Sequence, residues 1–219
     1  DLLNEGGLVW AKSRTTADRP NYWWDTERGY TSGDTNFTGH TLESNNTSAE
    51  GSGEHVRNIY EDGYQSWGGY YVNMTGQDYV SWTFRKAEKF FDIVTYTGNG
   101  TAGRTVAHNL GSVPAVIIVK KTDGTAEWPV YHKDESSYGT TGQYEGRLNE
   151  TSDFGWDYIS GTPTDAVFAV TGDTAVNGSG STYVAYLFAS DAGGFGEDET
   201  ENIIKCGSYT GNGSTNGPK

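Results

Sequence analysis

Tyr79-Val-Ser-Trp-Thr-Phe84 and Tyr183-Val-Ala-Tyr-Leu-Phe188 repeat one pattern, V-x-[WY]-x-F, at positions 104 residues apart. Strict alternation over six residues marks a β-strand with one face turned to a core. Val80, Trp82 and Phe84 share one face of the first copy; Val184, Tyr186 and Phe188 share the equivalent face of the second. A face kept apolar in both copies is expected to be buried. Outward from this pair the self-similarity continues. Tyr-Thr-Gly-Asn-Gly occurs at 96–100 and again at 209–213, an offset of 113. Gly7-Leu-Val-Trp-Ala-Lys12 resembles Ala115-Val-Ile-Ile-Val-Lys120 at an offset of 108. The elements keep their order while the offsets drift, as connecting loops of unequal length require. The organisation expected is a first unit at residues 1–89 lacking its opening hairpin, a fuller unit at 90–202, and a third repeat or connecting tail beginning at 203–219.

Composition supports an all-β chain. Apolar residues make up only 34 % of the 219, but aromatics contribute 14 % and can build a core with little Leu or Ile. The 31 glycines, with abundant Thr, Ser and Asn, suit short strands joined by tight turns. Further strands are expected at residues 8–11, 22–25, 70–73, 91–97, 105–108, 116–119, 130–132, 167–170 and 203–209. The run at 116–119 is continuously β-branched, which suits a strand covered on both faces. Gly98-Asn99-Gly100, Asp123-Gly124 and Asn177-Gly178 carry hairpin-turn chemistry. No stretch holds a helical period with caps. The fold class expected is all-β, with tandem β-sandwich or jelly-roll repeats, Greek-key connections and almost no helix.

The formal charge of −14 repels phosphate backbones and anionic lipid, which argues against nucleic-acid and membrane-surface partners. Cys206 is the single cysteine, so neither a disulfide framework nor a thiolate zinc site is available. The longest apolar run, 115–119, is far short of a membrane span. The chain opens without Met and stops in turn-rich sequence, as a piece of a longer polypeptide would.

Several strings carry a resemblance. They are Gly6-Gly7-Leu-Val-Trp-Ala-Lys-Ser-Arg14, Asp25-Thr-Glu-Arg-Gly29, Val94-Thr-Tyr-Thr-Gly-Asn-Gly100 and Val106-Ala-His-Asn-Leu-Gly-Ser-Val-Pro114, with Trp128-Pro-Val-Tyr-His-Lys133 and Cys206-Gly-Ser-Tyr-Thr-Gly-Asn-Gly213. Together they resemble a repeat family of virion structural proteins from marine and cyanobacterial tailed phages, described as tail-fibre-like or lectin-like jelly-roll proteins. The resemblance recurs from about residue 6 to the end of the chain. It implies a structural role at the virion surface and brings no catalytic motif. One departure is Pro20-Asn-Tyr-Trp-Trp24, where the family more often has an aliphatic-aromatic strand.

Motifs that could carry chemistry each have a plainer reading. Gly98-Asn-Gly-Thr-Ala-Gly103 matches G-x-G-x-x-G, but residues 104–110 are too short and too β-like for the phosphate-binding helix, so a hairpin turn is expected. Glu197-Asp-Glu-Thr-Glu201 spaces carboxylates two apart, as sandwich glucanases do, but the intervening residues are polar and glycines precede it. A solvated loop is expected there, with Glu197, Asp198 and Glu199 as weak Ca²⁺ candidates. His40, His55, His108 and His132 are too scattered for a metal motif.

Aromatics are the better candidates. Trp23-Trp24 and Trp67-Gly-Gly-Tyr70-Tyr71 place rings on both faces of a strand, so one ring of each pair should face outward. Such rings stack on sugar C–H faces or, on the plainer reading, pack against the sister unit or another subunit. The expected function is therefore non-enzymatic: a tail fibre or related appendage on the virion surface, contacting host surface glycans through Trp23, Trp24, Trp67, Tyr70 and Tyr71. Its partners would be other virion proteins and further copies of itself, and no cofactor beyond the Ca²⁺ candidates is expected. A capsid decoration protein and a polysaccharide depolymerase remain the alternatives.

Overall fold

The computed structural model describes residues 2–28, 40–51, 56–66, 71–134, 145–151 and 155–217. Among them the chain is all-β and its pairings are antiparallel. The first sheet has the order β3-β2-β1-β6, from β1 (Gly7–Ser13), β2 (Tyr22–Asp25), β3 (Leu42–Glu43) and β6 (Tyr79–Arg85). The hairpin of β4 (Val56–Tyr60) and β5 (Gly63–Ser66) stands apart from it. The second sheet runs β11-β10-β9-β13-β7, from β7 (Phe91–Thr97), β9 (Val116–Lys121), β10 (Pro129–His132), β11 (Gly146–Arg147) and β13 (Thr182–Phe188). The pair β8 (Arg104–Ala107) and β12 (Val167–Val170) completes the set. Helix is limited to α1 (Leu2–Glu5), α2 (Thr174–Asn177) and a single 3-10 turn, Thr26–Arg28.

Three cores hold these pieces as four layers. Leu8, Trp23 and Leu42 of the first sheet meet Phe91, Ile118, Tyr186 and Phe188 of the second in a central core shared by both. On the far side of the first sheet, Val9, Tyr22 and Trp24 pack on Val56 and Ile59 of the β4–β5 hairpin. On the far side of the second, Ile117, Val119, Tyr183 and Leu187 pack on Val106, Phe168 and Val170. Both large sheets are thus inner layers. That explains β13, which is apolar on both faces and buried from Tyr183 to Phe188.

Two close backbone approaches require glycine. A Cβ on Gly7 would lie 2.3 Å from the Phe84 carbonyl oxygen, so β1 and β6 could not approach as they do. A Cβ on Gly98 would lie 2.2 Å from the Gly178 carbonyl oxygen, where the loop after β7 crosses the end of α2.

Several expectations need correction. The apolar face of V-x-[WY]-x-F is buried in β13, but Trp82 of β6 is 42 % exposed, because β6 is the outermost strand of its sheet. Residues 71–73 form a turn, and residues 203–209 have no strand partner. Gly98–Gly103 is not a hairpin turn: it carries the chain from β7 to β8, which belong to different sheets. Asn177 closes α2, and its side chain donates to the Thr101 and Thr171 carbonyls at 2.8 and 3.0 Å. The short strands β3, β4, β5 and β11 were not foreseen, since they lack an alternating apolar run.

Candidate functional site

The polar groups of the molecule converge where β2 ends. Asp25 is fully buried, and its Oδ1 accepts the backbone N–H groups of Glu27 and Arg28, both at 3.1 Å, which winds the 3-10 turn. The Arg28 side chain folds back so that Nε donates to Asp25 Oδ2 at 2.7 Å and Nη1 to Glu50 Oε2 at 2.7 Å. From the second sheet, the Tyr186 hydroxyl donates to Asp25 Oδ2 at 2.7 Å. His40 Nδ1 contacts the other oxygen of Glu50. Burial works against the Arg28 charge, but Asp25, Tyr186 and Glu50 outweigh it and raise its pKa further. Burial, reinforced by the Asp25 charge, pushes the Tyr186 phenol well above its ordinary value. Arg28 and Tyr186 therefore stay protonated, and the cluster clamps the two large sheets together.

Beside this clamp opens a cleft of about 530 Å³. Glu27, Arg28, His40 and Glu50 line one wall; Thr95, Tyr96 and Thr97 of β7, with Thr122 and Thr182, line the other. The Thr122 and Thr182 hydroxyls share a hydrogen bond of 2.6 Å. Tyr96 stacks on Tyr183 at 5.1 Å between centroids and is covered on another side by the Arg104 guanidinium at 5.3 Å. Burial raises the Tyr96 phenol, whose hydroxyl donates to the Val176 carbonyl at 2.7 Å. The lining offers hydroxyls, carboxylates, a guanidinium and an imidazole beside an aromatic edge. Such a set can bind a ligand rich in hydroxyl groups. Each carboxylate already has a cation: Glu50 holds Arg28, and Glu27 accepts from Lys86 Nζ at 2.6 Å. Proton transfer to a substrate would have to break these pairs first.

Glu145 and Lys120, both without exposed surface, lie outside the cleft lining. Glu145 has no exposed surface and accepts the N–H groups of Tyr158 and Ile159 at 2.8 and 3.2 Å; burial still pushes its pKa up to about 7. Lys120 is equally buried, and its Nζ donates to the Thr47 and Ala126 carbonyls at 3.0 and 2.7 Å. Burial pulls its pKa down to about 8. Both act as pins between backbone segments.

The aromatic candidates fall in three places. Trp23 and Trp24 are 2 % and 1 % exposed, which corrects the expectation that one of them faces outward. They do point to opposite faces, but the sheet is an inner layer and each face meets a core. Trp23 touches Trp128 and Tyr186 at 5.3 and 4.9 Å, while Trp24 Nε1 donates to Thr41 Oγ1 at 3.0 Å. Neither ring can stack on a sugar. Trp67 and Tyr70 lie outside the described residues. Tyr71 is 41 % exposed and sits under the Arg19 guanidinium at 5.1 Å. Glu197, Asp198 and Glu199 lie on an exposed turn closed by the Phe195–Glu201 bridge. No group of three or more His, Cys, Asp or Glu that could hold a metal ion gathers there or elsewhere among the described residues. The cleft residues Glu27, Arg28, His40 and Glu50 were not singled out from sequence. The one available signal was Asp25-Thr-Glu-Arg28, a charged run closing an aromatic strand.

Fold and cleft together define a layered antiparallel β protein with a polar cleft between its second sheet and the segments that follow β2 and flank β3. The particular family is the one described as Domain of unknown function (DUF7483), which matches residues 4–219; the chain belongs to it. No curated protein and no solved structure matches the chain.

Proposed function

We propose that this protein is a non-enzymatic phage virion surface protein, a tail fibre or related appendage, that displays a binding surface and attaches to host surface glycans. The observation that carries the attachment reading is the polar cleft, whose hydroxyls and charged groups lie beside the Tyr96 ring. Oriented hydrogen bonds of this kind suit a ligand rich in hydroxyl groups, while the Tyr96 ring, stacked on Tyr183 and covered by Arg104, contributes only its rim. The cation-held state of Glu27 and Glu50 supports binding over hydrolysis, since a glycosidase needs one carboxyl free to give a proton and another to receive one. The acidic surface suits a particle in salty water, where screening weakens self-repulsion. Copies of the chain arrayed with other virion proteins would multiply a weak single-site affinity.

The test incubates the chain with surface polysaccharide from a candidate host and follows retention and new reducing ends together. Retention without release is expected. Thr95→Trp, on an exposed position of the cleft wall, should weaken retention at least about tenfold, close to 1.4 kcal/mol. Release of reducing ends would replace this reading with a depolymerase working through Glu27 and Glu50. Absence of both signals on the confirmed host would favour a capsid decoration protein.

A further inference from the structure

We infer that the outer edge of β6 is a strand-acceptor site, and that its ligand is the segment 204–210 of a second copy of this chain. The inference deepens the oligomer part of the reading above and does not depend on glycan binding.

In the second sheet, β13 lies between β9 and β7, with Phe188 opposite Phe91, Tyr186 opposite Ile93 and Tyr183 opposite Tyr96. In the first sheet, β6 is the sequence counterpart of β13 and pairs with β1 in the corresponding way. Its other side meets no strand among the described residues. The outer N–H and C=O groups of β6, which pair with no strand among the described residues, form a row beside a 42 % exposed Trp82, and this row is a template for another strand. The counterpart of β7 exists elsewhere in the sequence: Tyr209-Thr-Gly-Asn-Gly213 repeats Tyr96-Thr-Gly-Asn-Gly100. Residues 207–213 are exposed and outside any strand, and Tyr209 is 81 % exposed. One half of the molecule thus holds an acceptor without its strand, and the tail holds the strand without its acceptor.

The register follows from the two offsets, 104 for the acceptor and 113 for the donor. Carrying the β7–β13 pairing across puts Ile204 opposite Phe84, Cys206 opposite Trp82, Ser208 opposite Val80 and Tyr209 opposite Tyr79. The chemistry agrees face by face. Ile204 and Cys206 fall beside Phe84 and Trp82, on the side of the central core. Tyr209 meets Tyr79 where Tyr96 stacks on Tyr183 in the second sheet. Donation releases the Asp191–Ile204 backbone hydrogen bond at 3.1 Å, the Cys206–Ser190 hydrogen bond at 3.0 Å and the packing of Ile204 and Cys206 on the central core of their own copy, in exchange for a ladder along β6 and packing beside Phe84 and Trp82. Donor and acceptor are different surfaces, so the contact is heterologous and builds head-to-tail rings or filaments. With a charge of −14 per copy, association should strengthen as salt rises.

Because Cys206 is the single cysteine, Trp82→Cys places a second thiol at the proposed partner position. Mild oxidation with a diazenedicarboxamide, which takes two electrons and two protons from the thiol pair, should yield a ladder of covalent oligomers. Thr83→Cys, which points to the other face of β6, should yield far less. Equal cross-linking of both variants, or of neither, would overturn the inference. In the unsubstituted chain, sedimentation should show association that grows with concentration and salt, with β6 amides becoming protected from exchange in parallel. The register turns the Gly207 N–H toward β6, so Gly207→Pro removes a ladder donor from an exposed residue outside any element and should return the chain to monomer. A chain that stays monomeric throughout its soluble range, or a Gly207→Pro variant that associates undiminished, would also sink it.

Discussion

β6 and β13 carry the same V-x-[WY]-x-F pattern and meet their neighbours β1 and β9 in corresponding registers, yet they live in different surroundings. Tyr186 has no exposed surface and reaches across to Asp25; its counterpart Trp82 is 42 % exposed. The difference is not in the strands themselves. β13 has a strand on each side and a layer on each face, whereas among the described residues β6 has β1 on one side only. A pattern that specifies which residues share a face does not specify what covers that face.

The largest effect expected from breaking this contrast lies at the clamp that only β13 reaches. Asp25→Ala leaves a buried guanidinium without its nearest carboxylate and should cost about 3–5 kcal/mol in denaturant unfolding. Next come matched truncations on the two strands. Leu187→Ala empties a fully buried position and should cost about 2–5 kcal/mol, while Thr83→Ala, its exposed counterpart, should change stability by no more than about 0.5 kcal/mol. Equal costs would mean that the two strands are equally enclosed in solution. A smaller effect separates the halves by pH. Glu145 of the second half lies 104 residues after Thr41, a neutral residue that accepts from Trp24. Its raised pKa means that the folded state holds the proton more tightly than the unfolded chain. Its contribution is therefore fully present below the ordinary carboxylate value of 4.5 and is lost as pH climbs through about 7. The change should be on the order of 3 kcal/mol across that window, and Glu145→Gln should flatten it. A profile that stays equally steep in the variant would place the dependence on another group.

How far the sequence could be read follows from the same contrast. Residues 22–25, 91–97 and 167–170 are recognisable as strands because aromatic and β-branched residues predominate in them, and the structure gives them those bounds. Residues 203–209 read equally well as a strand but find no partner among the described residues, since strand structure needs a neighbour as well as a pattern. Trp23 and Trp24 were separated onto two faces correctly; their burial depended on layers contributed by residues as distant as Val56 and Tyr186. The cleft was hidden for a related reason. Glu27, Glu50 and Thr95 come from three separate segments, and no spacing in the sequence announces their meeting.

Trp23, Trp10 and Trp82 stand opposite one another across β2, β1 and β6, with ring centroids 5.3 and 4.8 Å apart. Indoles this close do not absorb and emit as independent chromophores. Excitation received at the rim of the sheet can pass along the row to Trp23 in the interior, and coupling between the rings imprints a signed band on near-ultraviolet circular dichroism. The molecule therefore carries a built-in optical gauge that runs from its open margin to its centre, readable without any label.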